Sequence, residues 1–264
     1  MNILERNNVI VKGKVGAETT LMFAHGYGCD QNMWRYVAPA FEDRFRVVLF
    51  DHVGAGGSDL GSYSATRHAE LDGYADDVIE IVETLNLTNV VFVGHSVSSM
   101  IGIIAANKAP GLFSALILVG PSPSYINDGD YVGGFTRLQI NELLDSLDAN
   151  HMGWSVAMAP AIMGNPDRQE LGEELAASFC RTDPAIAKAF ARTTFLSDSR
   201  GALPLVKVPT LILQCSDDII APEEVGQYVH AHIPGSRLVI MEATGHCPNL
   251  SAPAETITAI EAFL

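Results

Sequence analysis

Residues 90–93, Val-Val-Phe-Val, run without a break into Gly94-His95-Ser96-Val97-Ser98, and these into an apolar stretch holding Met100, Ile101, Ile103 and Ile104. The first run is short and rich in Val, as a buried strand is, and the last reads as a buried helix. Joining the two needs a sharp, strained turn whose side chains clear both neighbours. Small residues around a central serine meet that need, and the arrangement matches the nucleophile elbow G-x-S-x-G except at its last position. There Ser98 replaces glycine, and serine is only slightly larger. The elbow places Ser96 at the start of a helix, where the positive end of the dipole favours an oxyanion. The plainer alternative is a tight turn in which Ser96 serves only as a helix N-cap.

Other segments repeat the same alternation. Residues 20–24, 47–50, 115–119, 210–214 and 238–241 also read as short strands covered on both faces. Residues 8–12 alternate polar and apolar, as an edge strand with one wet face would. Between residues 71 and 85, apolar side chains at 71, 74, 75, 78, 82 and 85 mark one helix face. Residues 97–107, 223–232 and 253–264 supply further helices. Strands alternating with helices predict βαβ units and a mainly parallel sheet, an α/β architecture.

The rhythm breaks between residues 119 and 210, a stretch of 90 residues with no buried-strand signal. Helical patterns cover 137–151, 155–163, 168–179 and 184–197. A single crossover needs far fewer residues, so most of this interval, about 125–198, is expected to form a helical lid inserted within one domain spanning 1–264.

Composition narrows the class. Hydrophobic residues at 48% and charged residues at 18% provide a large core. A formal charge of −15, with the 16 Lys and Arg scattered, argues against nucleic-acid binding. No run approaches the roughly 18 apolar residues of a membrane span. Residues 1–14 carry no secretory pattern. The four cysteines, Cys29, Cys180, Cys215 and Cys247, fit neither a zinc pattern nor a disulfide scaffold. A reduced, cytoplasmic protein without metal or organic cofactor is expected.

A serine hydroxyl needs a base and a group that orients the base, in the chain order Ser, acid, His in this fold. The strand at 210–214 leads into Asp217-Asp218, and the strand at 238–241 leads into Gly245-His246-Cys247. His246 is the candidate base, and Asp217 and Asp218 compete for the third role. The oxyanion hole requires two backbone donors. One is the N–H after the nucleophile, at Val97. The other is expected at Tyr27, in His25-Gly26-Tyr27-Gly28 after the strand at 20–24. His25 and His95 are expected to be structural. The His230/His232 pair would point to different helix faces and is a poor metal site. Asp51 and Asp59 flank Gly54-Ala55-Gly56-Gly57, which lacks the G-x-G-x-x-G order and reads as a turn-rich connection.

These residues resemble the RsbQ group of bacterial α/β-hydrolases, relatives of the plant strigolactone and karrikin receptors. The likeness covers nearly the whole chain. It is carried by His25-Gly26-Tyr27-Gly28-Cys29-Asp30-Gln31, Asp51-His52-Val53-Gly54-Ala55-Gly56, Gly94-His95-Ser96-Val97-Ser98-Ser99-Met100-Ile101-Gly102, Asn127-Asp128 with Gly133-Gly134-Phe135, and Gly245-His246-Cys247-Pro248. Ser98 is typical of the group. The resemblance implies the α/β-hydrolase fold with a V-shaped lid of four helices. It places the triad acid four residues before a proline, which selects Asp218 ahead of Pro222. It also implies that Tyr125, Phe135, Leu143, Trp154, Met158 and Phe195 line a narrow apolar pocket. Tyr27 stands where the plant receptors usually carry Phe.

The expected function is therefore hydrolysis of a small apolar ester or lactone by Ser96, His246 and Asp218, with butenolides implied by resemblance alone. A different class remains: a ligand sensor that binds a protein signalling partner, such as a phosphatase regulator, with slow turnover. Epoxide or haloalkane chemistry would call for Asp at the elbow. Carbon–carbon bond hydrolysis uses the same triad.

Overall fold

The computed structural model describes residues 2–264; Met1, where the stretch read for a signal begins, lies outside them. A four-residue helix, α1 (Ile3–Arg6), precedes the first strand, β1 (Ile10–Gly13). Then follow β2 (Thr20–Ala24), β3 (Arg46–Leu49), α2 (Leu71–Thr84), β4 (Val90–His95), α3 (Val97–Lys108) and β5 (Phe113–Val119). Four helices come next without an intervening strand: α4 (Arg137–Ala149), α5 (His151–Met163), α6 (Gln169–Arg181) and α7 (Pro184–Phe195). The chain returns through β6 (Thr210–Asp217), α8 (Glu223–His232), β7 (Arg237–Thr244), α9 (Pro248–Ser251) and α10 (Pro253–Glu261).

The seven strands form one sheet in the order β1-β3-β2-β4-β5-β6-β7. Only β1 runs antiparallel, against β3; the other pairings are parallel. Every residue of β2 and β4 is buried, which explains their continuous apolar runs: each face is covered by helices. Two apolar clusters mark the two faces, one containing Leu21, Phe23, Val91 and Val93, the other Met22, Ala24, Val90 and Phe92. Strand side chains alternate between them, as a period of two requires.

The strand order decides where a ligand site can lie. From β2 the chain leaves toward β3 on one side, and from β4 it leaves toward β5 on the other. Where neighbouring parallel strands send their connections in opposite directions, a crevice opens at their carboxyl ends. The His25-Gly26-Tyr27 loop and the Ser96 turn leave from those two ends.

Two expectations need correction. The edge strand was expected at 8–12 with one wet face, yet all four residues of β1 are exposed. It is a short outermost strand with no helix laid across it, so neither face is dry. The second inserted helix was expected from 155 and begins at His151. Asn150 ends α4 and also caps α5, its side chain accepting from the Gly153 N–H at 3.0 Å, so no gap separates the helices.

Candidate active site

The elbow is strained as its sequence requires. Ser96 sits at φ 57°, ψ −124°, a backbone conformation sparsely populated by non-glycine residues and costing on the order of 1–3 kcal/mol. Its N–H donates to the Val119 carbonyl at 2.8 Å, tying the turn to the end of β5. At Gly94 a Cβ would lie 2.5 Å from the Ser98 carbonyl oxygen, so glycine is required there. The N-cap alternative does not hold, because the Ser96 side chain makes no capping bond to α3.

Instead, the Ser96 hydroxyl lies 2.7 Å from His246 Nε2, and His246 Nδ1 lies 2.7 Å from Asp218 Oδ2. Asp218 Oδ1 accepts the backbone N–H groups of Ile220 and Ala221 at 2.8 and 3.1 Å, which fixes the orientation of the carboxyl group. All three side chains are buried. The two contacts of His246 place Nδ1 against the carboxylate and Nε2 against the serine, a geometry that accommodates the tautomer with its proton on Nδ1. Asp217, the competing aspartate, belongs to β6 and is exposed; its backbone carbonyl takes the Gly245 N–H.

Backbone contacts fix His246 from two sides. Its N–H donates to the Ile162 carbonyl in α5 at 2.8 Å. Its carbonyl oxygen accepts from His95 Nε2 at 2.7 Å. Burial holds His95 neutral, with a pKa lowered to about 3. Val97 is the first residue of α3, so its N–H belongs to the group without an intrahelical acceptor. Gly26 packs against the serine: a Cβ there would fall 3.3 Å from Ser96 Cβ and 2.5 Å from His95 Nδ1. The chain at Gly26 thus runs beside Ser96.

A narrow cavity of about 30 Å³ opens onto Ser96 and His246. That volume suits a water or two, not a substrate. Tyr125, Trp154 and Phe195 line it, together with Tyr27, Phe179 and Leu175. Phe135, Leu143 and Met158, expected beside them, are partly buried in the surrounding core and do not reach the lining. Leu143 lies on α4, whose buried face is that of Ile140, Leu144 and Leu147, and Phe135 precedes that helix, bridged to Ile126. Sequence reasoning missed Phe179, Leu175, Ile162, Thr194 and Cys29. Leu171, Leu175 and Phe179 do repeat at helical spacing on α6, which signals a buried face but not what it faces. A larger cleft of about 660 Å³ lies beyond Cys29, between β1 and α6, and holds none of Ser96, Asp218 and His246.

Other groups here are chemically quiet. Burial pushes the Cys29 thiol up to about 12 and the Cys247 thiol well above its ordinary value, so neither supplies a thiolate near neutral pH. Burial likewise raises the Tyr27 and Tyr125 phenols. The Tyr27 hydroxyl donates to the Ala187 carbonyl in α7 at 3.2 Å, and the Tyr125 hydroxyl approaches Ser96. Asp51 binds the turn around it, accepting from Gln31 N, Gly57 N and Asn8 Nδ2. His230 meets Ser236, and His232 stacks on Tyr228. Among the described residues, no cluster of His, Cys, Asp and Glu is arranged to hold a metal ion, and no helix is long and apolar enough to cross a membrane.

A buried serine, histidine and aspartate at the carboxyl ends of β4, β7 and β6 coincide with a family match: the model of the alpha/beta hydrolase family covers residues 21–259. The chain belongs to the α/β-hydrolase family. It is by that membership a hydrolase. Strigolactone esterase D14 of Arabidopsis thaliana is 41% identical over 255 residues, covering 96% of this chain and 94% of that protein. Karrikin insensitive 2 receptor CA of Petunia hybrida is 37% identical over 250 residues, covering 94% and 92%. The kinship with these plant proteins expected from the motifs is borne out. A solved hydrolase from Oleispira antarctica superposes with a TM-score of 0.96 at 44% identity, covering 99% of this α/β-hydrolase and 96% of that chain.

Proposed function

We propose that this α/β-hydrolase cleaves a small, largely apolar ester or lactone, with Ser96 as nucleophile, His246 as general base and Asp218 orienting the base. The observation that carries this reading is the buried line of hydrogen bonds from Ser96 Oγ to His246 to Asp218, each 2.7 Å long. Ser96 attacks the carbonyl carbon while His246 Nε2 takes the hydroxyl proton. The N–H groups of Val97 and Tyr27 receive the developing oxyanion, each worth roughly 3 kcal/mol in the transition state. His246 then returns the proton to the leaving oxygen and activates the water that releases the acyl group. The wall of Tyr27, Trp154, Phe179 and Phe195 favours apolar acyl or lactone bodies. Because the cavity is smaller than such a ligand, helices α4–α7 act as a lid that shifts to admit it.

Esterase names among the relatives, and that of strigolactone esterase D14 in particular, support esters and lactones as the substrate class. The test is hydrolysis of a fluorogenic butenolide by the wild-type protein and by Ser96→Ala. Turnover abolished in the variant supports the reading. Equal turnover in both overturns it.

A second reading has its own support, because a relative at 37% identity is named as a receptor. In that reading the same pocket senses a small ligand and its occupancy controls binding of a protein partner. Slow turnover together with ligand-dependent partner capture favours it.

A further inference from the structure

Ser98, the departure from the general elbow, is fully buried, and its hydroxyl stands between two groups. It donates to the His25 carbonyl and lies 2.7 Å from His52 Nε2. A hydroxyl has one proton, so if that proton goes to the His25 carbonyl, His52 must donate its Nε2–H to the serine oxygen. His52 Nδ1 is then bare, and it is indeed buried without a partner. The backbone N–H of His52 donates to His25 Nε2 at 3.0 Å. That assigns the His25 proton to Nδ1, which lies 2.9 Å from the Gly26 carbonyl oxygen. The two rings meet edge to face, with centroids 4.7 Å apart, and Phe50 and Tyr74 close over His52.

The last acceptor decides what this chain of bonds does. The Gly26 carbonyl and the Tyr27 N–H are two ends of one planar trans peptide and point in opposite directions. Holding the carbonyl therefore aims the N–H. We propose that Ser98 is a positioning residue for the oxyanion hole: through His52 and His25 it fixes the plane of the Gly26–Tyr27 peptide and so the direction of the Tyr27 N–H. This rests on the hydrolase reading above, in which that N–H receives the oxyanion.

The experiment compares Ser98→Ala and Ser98→Gly with wild type, glycine being the residue the general elbow carries. Either change leaves the His25 carbonyl and the His52 Nε2–H without their common partner. The expected result is a fall in kcat of at least about tenfold, below the loss of a whole donor, with KM changed by less than about twofold. Inhibition by a boronic acid, whose tetrahedral adduct places an oxygen in the hole, weakens by the same factor as kcat/KM. His52→Phe produces a similar loss, and the Ser98→Ala/His52→Phe double variant falls no further than the worse single one, because both break the same path. Unchanged kcat and boronic acid affinity in the folded Ser98 variants overturns the proposal, as does strict additivity in the double variant. Fluorophosphonate labelling separates the two claims. No labelling of wild-type Ser96 sinks the hydrolase reading and this inference with it. Labelling with indifferent Ser98 variants sinks only the inference.

Discussion

His95 Nε2 donates to the carbonyl oxygen of His246 across 2.7 Å, joining the residue before the elbow serine to the backbone of the histidine that faces that serine. Both rings are buried, and their centroids lie 5.1 Å apart. The position between glycine and serine in the elbow thus does more than fill a turn. It holds the loop after β7 against the loop after β4.

Removing that bond should be costly. His95→Ala leaves a buried carbonyl without a donor and opens a void, so a loss of about 2–4 kcal/mol is expected. A guanidinium midpoint lowered at unchanged slope would register it. Turnover per folded molecule should fall as well, since the His246 loop loses one of its two backbone anchors.

Stability should also depend on pH through the buried histidines. Burial lowers the pKa of His95 to about 3 and that of His52 well below its ordinary value. Unfolded, each titrates near 6.5, so below that pH the unfolded chain binds protons that the folded chain refuses. Their contribution is complete above about pH 6.5 and declines as pH falls below it, by up to about 1.4 kcal/mol per pH unit for each histidine, the His95 part running down toward about pH 3. Denaturation midpoints between pH 8 and pH 5 should show the decline, with a shallower slope in His95→Ala. A flat profile would count against neutral buried rings.

The two adjacent aspartates should separate cleanly. Asp218→Asn keeps the shape but removes the charge facing His246 Nδ1, and a loss in kcat of about 10⁴-fold is expected. Asp217→Asn alters an exposed side chain, and kcat should stay within about twofold of wild type. Comparable losses in both would contradict the assignment of Asp218.

Gly245→Ala should disturb the same loop from the helical side. Gly245 has φ +79°, and a Cβ there would lie 1.8 Å from the Met163 carbonyl oxygen at the end of α5. Neither strain nor contact can relax without moving α5 away from His246. Expected are a clear fall in melting temperature and loss of turnover, whereas Gly111→Ala, where a Cβ meets nothing within 4 Å, bears only the strain of φ +95° and keeps activity.

Much of this molecule was legible in consecutive residues. The run from Val90 through Ser98 to Ile104 forms strand, turn and helix from its own composition, because burial on both faces and a steric demand for small residues are local requirements. The inserted helices showed in their apolar spacing, and the loops carrying Asp218 and His246 in their place after late strands. Tertiary structure decided what spacing leaves open. Asp217 and Asp218 are neighbours of the same charge, and only the meeting of the β6 and β7 ends turns one toward His246 and the other to solvent. Trp154 and Phe195 reach the cavity while Leu143 and Met158 stop in the core, since a helix's periodicity marks its buried face but not the element that face meets. The bonds from His95 to His246 and from Ser98 to His25 join residues 151 and 73 positions apart. Contacts at such separations depend on how the whole sheet packs, and no local pattern records them.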